Sequence, residues 1–154
     1  MGYDNVPFAT HYGIESARQE GMMTHHRSHG KGVLGDVLRR YQELPQFTHI
    51  ELARGDEKGL DEQTPLHVAC YRGDEEAVLA MISAGASIGA RGDIGGTPLH
   101  EAALGRNPNI VKVLLARGAD ASAVDDYGDT PLDIATSCDH PEIVQLLERA
   151  LGGY

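Results

Sequence analysis

Apolar residues along this chain fall in short bursts at helical spacing, separated by polar and glycine-containing stretches. Ile110, Val113 and Leu114 show the i, i+3, i+4 spacing of an amphipathic helix, within the run Ile110-Val111-Lys112-Val113-Leu114-Leu115. Ala77 to Ile82 and Ile143 to Leu147 form comparable runs. A shorter segment with a narrower apolar face precedes each run, carrying Leu66 and Ala69, Leu99, Ala102 and Ala103, and Leu132 and Ala135. Its small alanines let neighbouring helices approach closely. Gly85 and Gly118 fall where a helix stops, a place suited to a left-handed residue. The pattern predicts units of helix, tight turn, helix and loop. Upstream, Val37, Leu38, Tyr41 and Leu44 predict a helix over Gly35–Leu44, broken by Pro45. Phe47, Ile50 and Leu52 predict a second over Phe47–Arg54. Residues 31–58 would then be a helical N-terminal cap or a degenerate repeat. Leu52-Ala53-Arg54-Gly55-Asp56 faintly echoes Leu115-Ala116-Arg117-Gly118-Ala119, three residues out of phase with the repeat. Residues 1–30 show no sustained periodicity and are expected to be partly mobile.

One tetrapeptide marks the start of each shorter segment. Thr64-Pro65-Leu66-His67, Thr97-Pro98-Leu99-His100 and Thr130-Pro131-Leu132-Asp133 begin 33 residues apart. A period of that length means stacked supersecondary units, none able to bury its apolar face alone. The residue types suit a helix start: a Thr hydroxyl accepts from free backbone N–H groups, and Pro fits the first turn. His67 and His100 share one slot, which points to a helix-start hydrogen bond rather than to two active sites.

These residues resemble the ankyrin-repeat pattern. The second unit reads Gly95-Gly96-Thr97-Pro98-Leu99-His100-Glu101-Ala102-Ala103, then the 110–115 run, then Gly118-Ala119-Asp120. The first matches in His67-Val68-Ala69-Cys70 and Gly85-Ala86-Ser87, the third in Tyr127-Gly128-Asp129 before Thr130. The likeness covers roughly residues 59–151 and divides them into repeats at 59–91, 92–124 and 125–154. It implies an all-α solenoid of stacked helix-turn-helix units with hairpin-like loops. Asp133 in the His slot and Glu148 within the last apolar run fit a C-terminal capping unit. Glu62 stands where the other units have a turn glycine at 95 and 128, which leaves the shape of the first hairpin loop open.

The same likeness implies a non-enzymatic module that binds another protein along a concave face. Loop tips there would be Leu60, Asp61, Gln63, Arg91, Asp93, Ile94, Val124, Asp126, Tyr127 and Asp129. The ends of the first helices would add Tyr71, Arg72, Leu104 and Ser137, with Cys138 beside it. Tyr71, Ile94, Leu104 and Tyr127 matter most, because the repeat pattern does not require apolar or aromatic residues in those slots.

Charge narrows the partner. The net charge of −10 lies wholly in the repeats: residues 1–50 hold five acids and five bases, residues 51–154 hold 18 and eight. From Asp125 onward there are seven acids against one base, Arg149. This sign argues against nucleic acid and favours a partner with a basic patch, or simply solubility. An alternative of the same chemistry is a bacterial immunity or antitoxin-type inhibitor plugging a toxin or enzyme with a basic cleft. No run approaches the ~18 apolar residues of a membrane span, and the N-terminus lacks a signal-peptide core. A cytoplasmic monomer without membrane contact is the expectation.

Catalytic and cofactor chemistry finds little support. His100-Glu101-Ala102-Ala103-Leu104 lacks the second His of a zinc-protease helix. Gly30-Lys31-Gly32-Val33-Leu34-Gly35 has glycine spacing for a dinucleotide but no apolar strand before it. His25, His26 and His29 cluster without an acidic or Cys ligand, so a solvated polar stretch is expected there rather than a metal site. Cys70 and Cys138 lie in the first and third units; with helices ~8–10 Å apart they are too distant to pair. No catalytic residue, metal or cofactor is predicted.

Overall fold

The computed structural model of the chain describes residues 30–49, 51–52 and 57–152. Seven helices appear there: α1 (Gly30–Gln42), α2 (Pro65–Arg72), α3 (Glu75–Ser83), α4 (Pro98–Leu104), α5 (Pro108–Ala116), α6 (Pro131–Ser137) and α7 (Pro141–Ala150), with a 3-10 turn at Pro45–Phe47. No strand occurs among the described residues. Helices of 7–10 residues are too short to persist alone, since isolated helices are marginal below ~12–15 residues. Packing between units therefore has to supply the stability.

Local signals set the boundaries. Thr64, Thr97 and Thr130 adopt extended backbone before their prolines, as a residue preceding Pro prefers. The Pro then starts the helix without wasting an N–H. Asp74 and Asn107 cap the second helices, accepting from Ala77 N–H and Ile110 N–H at 3.1 Å each. Between paired helices a left-handed residue makes the turn: Gly73, Arg106 and Asp139, at φ of 77°, 64° and 60°. Gly85 and Gly118, with φ of 98° and 92°, end α3 and α5 as the pattern predicts.

The helices form two layers. α2, α4 and α6 pack in series as one; α1, α3, α5 and α7 form the other. Fully buried Ala69, Ala102, Ala103 and Ala135 occupy the inner layer, and Val78, Met81, Ile110, Val111, Leu114 and Leu147 fill the space between layers. Apolar burial is the chief favourable term here, at about 25 cal/mol per Å² of apolar area removed from water.

The N-terminal cap differs from the reading of the sequence. The first helix runs Gly30–Gln42 rather than Gly35–Leu44. The glycine motif at 30–35 is therefore helical and forms no phosphate loop. The second predicted helix, Phe47–Arg54, is absent where the chain is described: after the 3-10 turn, residues 48–49 form a turn and 51–52 are irregular. Gln42 explains this. Its Nε2 donates to Phe47 O at 2.6 Å, and its Oε1 accepts from Leu52 N–H at 3.0 Å. Backbone groups a helix would use are thus tied to the end of α1, and Leu44, Phe47 and Leu52 are buried as a lid on the core. α1 itself joins the layer of second helices through its contact with α3. The His25, His26 and His29 cluster and most of the Leu52–Asp56 echo lie outside the described residues.

Candidate partner-binding face

Three hairpin-like loops precede the inner helices, and all share one geometry. Gly59 N–H donates to Gln63 O at 2.8 Å, Gly92 N–H to Gly96 O at 2.8 Å, and Asp125 N–H to Asp129 O at 3.0 Å. The turn position in each is left-handed: Glu62, Gly95 and Gly128, at φ of 63°, 73° and 89°. Glu62 thus makes the same turn as the glycines, with its carboxylate 3.0 Å from Lys58 Nζ. Asp61 Oδ1 accepts from Gln63 N–H at 3.2 Å, and buried Asp125 accepts from Tyr127 and Asp129 N–H at 2.9 Å each.

The two histidines fasten one loop to the next. His67 Nδ1 accepts from Thr64 N–H at 3.2 Å, closing the helix start. Its Nε2 lies 3.1 Å from both Ala90 O and Gly96 O. Carbonyls only accept, so Nε2 carries the proton and donates across the repeat boundary. His100 repeats this, accepting from Thr97 N–H at 3.0 Å and donating to Asp129 O at 3.0 Å. Burial pushes both pKa values below the usual range, despite opposing bonds to carbonyls. The sequence showed the helix-start bond but not the cross-repeat bond. In the last unit Asp133 Oδ2 accepts from Thr130 N–H and Oγ1 at 2.8 Å each. Asp133 makes both bonds at its own helix start, and its carboxylate is too short to reach onward as the histidines do.

Loop 2 and loop 3 are further joined. Asp126 N–H donates to Ile94 O at 2.9 Å. Arg91 donates through Nη1 to Gly95 O at 2.7 Å and to Val124 O. The loops therefore present their tips from a braced frame. A family model of ankyrin repeats, in three copies, matches residues 43–125 and 66–151. The chain belongs to the ankyrin-repeat family. Ankyrin repeats generally act as protein–protein interaction modules and are typically not enzymes. Among curated proteins none matches the chain.

On this ankyrin stack the predicted binding residues fall in two bands. Leu60, Asp61, Arg91, Asp93, Ile94, Val124, Asp126, Tyr127 and Asp129 are exposed at the loop tips, and Gln63 is half-buried behind them. Tyr71, Arg72, Leu104 and Ser137 are exposed at the far ends of α2, α4 and α6. A helix of seven or eight residues separates the bands by about 10–12 Å at 1.5 Å per residue. Eight large apolar side chains are exposed among the described residues, and six are Leu60, Tyr71, Ile94, Leu104, Val124 and Tyr127. Leu60 and Tyr127 are the most open, at 73 % and 74 %.

Between the bands runs a stripe not singled out in the sequence. Val68 with Tyr71, Glu101 with Leu104, and Ile134 with Ser137 are each three residues apart, so each pair shares one face of its helix. Val68, Glu101 and Ile134 are all half-buried. Their common slot was legible in the 33-residue step, where an acid stands between two β-branched apolar residues. Glu101 Oε1 meets Gln63 Nε2 at a long 3.5 Å. Burial raises the Glu101 pKa above the usual carboxylate range, the Gln63 bond opposes this, and Asp61 adds to it.

No group of His, Cys, Asp and Glu among the described residues is arranged to hold a metal ion. No described helix is long and apolar enough to cross a membrane. Cys70 is buried and Cys138 half-buried, both as free thiols.

Proposed function

We propose that this protein is a non-enzymatic module that grips a partner protein on the concave, acidic face of its ankyrin stack. The observation that carries the reading is the distribution of exposed apolar side chains. Six of them sit in slots that the stack does not need for its own core. Apolar anchors in a polar surround are the usual source of binding energy at an interface. Carboxylates of Asp61, Asp93, Asp126 and Asp129 surround them. Of the nearby cations, Lys58 pairs with Glu62, Arg91 is bound to two backbone carbonyls, and Arg72 lies over the Tyr41 ring at 6.0 Å. Carboxylates thus outnumber cations over this surface, an excess that steers a basic partner and raises its association rate.

The test is a triple variant, Ile94→Ala, Leu104→Ala and Tyr127→Ala, measured against an isolated partner. Binding should fall by a factor of 100 or more, since anchor residues each cost about 1–2 kcal/mol or more on truncation. Unchanged affinity with an intact fold would refute the assigned face. The acid excess from Asp125 onward favours a narrower version, in which the partner is a toxin or enzyme with a basic cleft and this protein is its inhibitor. A toxin gene beside this one would support that version; its absence would weaken it.

A further inference from the structure

The Val68–Glu101–Ile134 slot holds a half-buried carboxylate, whereas Asp61, Asp93, Asp126 and Asp129 on the same face are exposed to water. The flanking repeats fill the slot with apolar side chains, which a half-buried position on a helix favours. Glu101 in the same place is costly, because a desolvated carboxylate needs a cation or several donors. It has neither. None of the ion pairs among the described residues includes Glu101. Its side chain takes one long bond from a neutral amide, and the charge acting on it is the like charge of Asp61. Its surroundings open onto the same helix face as exposed Leu104, with exposed Tyr71 in the matching slot of the preceding helix.

Resting on the reading of this face as the partner surface, we infer that Glu101 is its specificity residue, receiving an arginine or lysine side chain of the partner. Gln63 and Asp61 flank that cation, while Tyr71 and Leu104 cover its aliphatic stem. The long stem of either residue is apolar and its head charged, so it suits a carboxylate set among apolar groups. The inserted cation would supply the missing counter-charge, and bound and free protein would then differ in the electrostatics at one point. A desolvated pair of this kind discriminates strongly, since a partner lacking the cation leaves the carboxylate buried and alone.

A randomised peptide library displayed on phage, selected against the full chain, tests this with no partner in hand. Selected peptides should carry Arg or Lys beside an apolar residue. Glu101→Gln should weaken them by about tenfold or more, while Ile94→Ala with Tyr127→Ala weakens them independently. Peptides that need Ile94 and Tyr127 yet show no basic preference, or bind Glu101→Gln unchanged, overturn this inference and leave the face intact. Peptides indifferent to Ile94, Leu104 and Tyr127, or no binders at all, count against the face itself. A second readout needs no ligand. Glu101→Val, which restores the residue type of the flanking slots, should raise the melting temperature of the free protein by roughly 2–4 °C. A fall would mean that the carboxylate serves the fold, and would also overturn the inference.

Discussion

Single residues show how little space the stack leaves between units. Gly105 has ordinary helical backbone, φ −79° and ψ 0°, which alanine adopts freely. A methyl group there would nonetheless collide with the backbone carbonyl oxygen of Tyr71 in the preceding unit. Helix propensity alone favours Gly105→Ala by up to ~1 kcal/mol. We expect instead a loss of about 1–3 kcal/mol from overpacking, read from urea denaturation. A gain would show that the units part easily. The equivalent slot at the next boundary holds Cys138, so the contact belongs to one interface and not to the repeat. Nothing in the one-dimensional sequence distinguishes Gly105 from a helix-ending glycine. By contrast, the exposure of Ile94 and Tyr127 was legible, because a 33-residue alignment shows that the slot carries no fixed apolar residue.

Elements carry the regularities that the sequence exposed best and the irregularities it concealed. The paired helices of all three units were readable from Thr-Pro starts and spaced apolar runs. The N-terminal cap was not, because Gln42 overrides local propensity by binding the backbone of Phe47 and Leu52 from across the turn. Gln42→Ala should therefore loosen the segment after α1, seen as faster amide exchange at Leu52; unchanged exchange would sink this account. The first hairpin loop offers a second test. Glu62 holds a left-handed backbone that costs an L-residue about 1–2 kcal/mol, partly offset by its exposed pair with Lys58. Replacing it by Gly removes that strain but adds unfolded-state entropy of about 0.5–1 kcal/mol. We expect Glu62→Gly to be neutral or up to about 1 kcal/mol stabilising, and Glu62→Val to destabilise. If Gly were markedly worse than Glu, the ion pair would matter more than the backbone.

At the scale of the whole molecule, stability should vary along the stack and with pH, and for related reasons. His67 and His100 are neutral staples, each accepting from a Thr N–H while donating to the next loop. A proton on Nδ1 would face that Thr N–H with a second donor. Because burial lowers their folded pKa below the ordinary value near 6.5, the stability they confer is complete above that value. It is lost as pH falls from about 6.5 toward the lowered folded pKa. The unit cap at Asp133 behaves differently: bonds from Thr130 N–H and its hydroxyl hold its pKa below the carboxylate range, so it persists to lower pH. Urea midpoints should thus fall between pH 7 and pH 5, and a flat profile would contradict the neutral staples. At neutral pH the centre of the stack should be the most protected. α4 packs between α2 and α6, α5 between α3 and α7, and the second loop is tied to both neighbours by His67, Arg91 and Asp126. Among the described residues the third unit packs against one neighbouring unit, and Leu132, Ile134, Val144 and Leu146 remain half-buried. In a one-dimensional stack, opening begins in the less fully packed units. Amide exchange should therefore be slowest over Thr97–Leu115. Slower exchange in α6 and α7 than in α4 and α5 would mean that the C-terminal unit, not the centre, nucleates the stack.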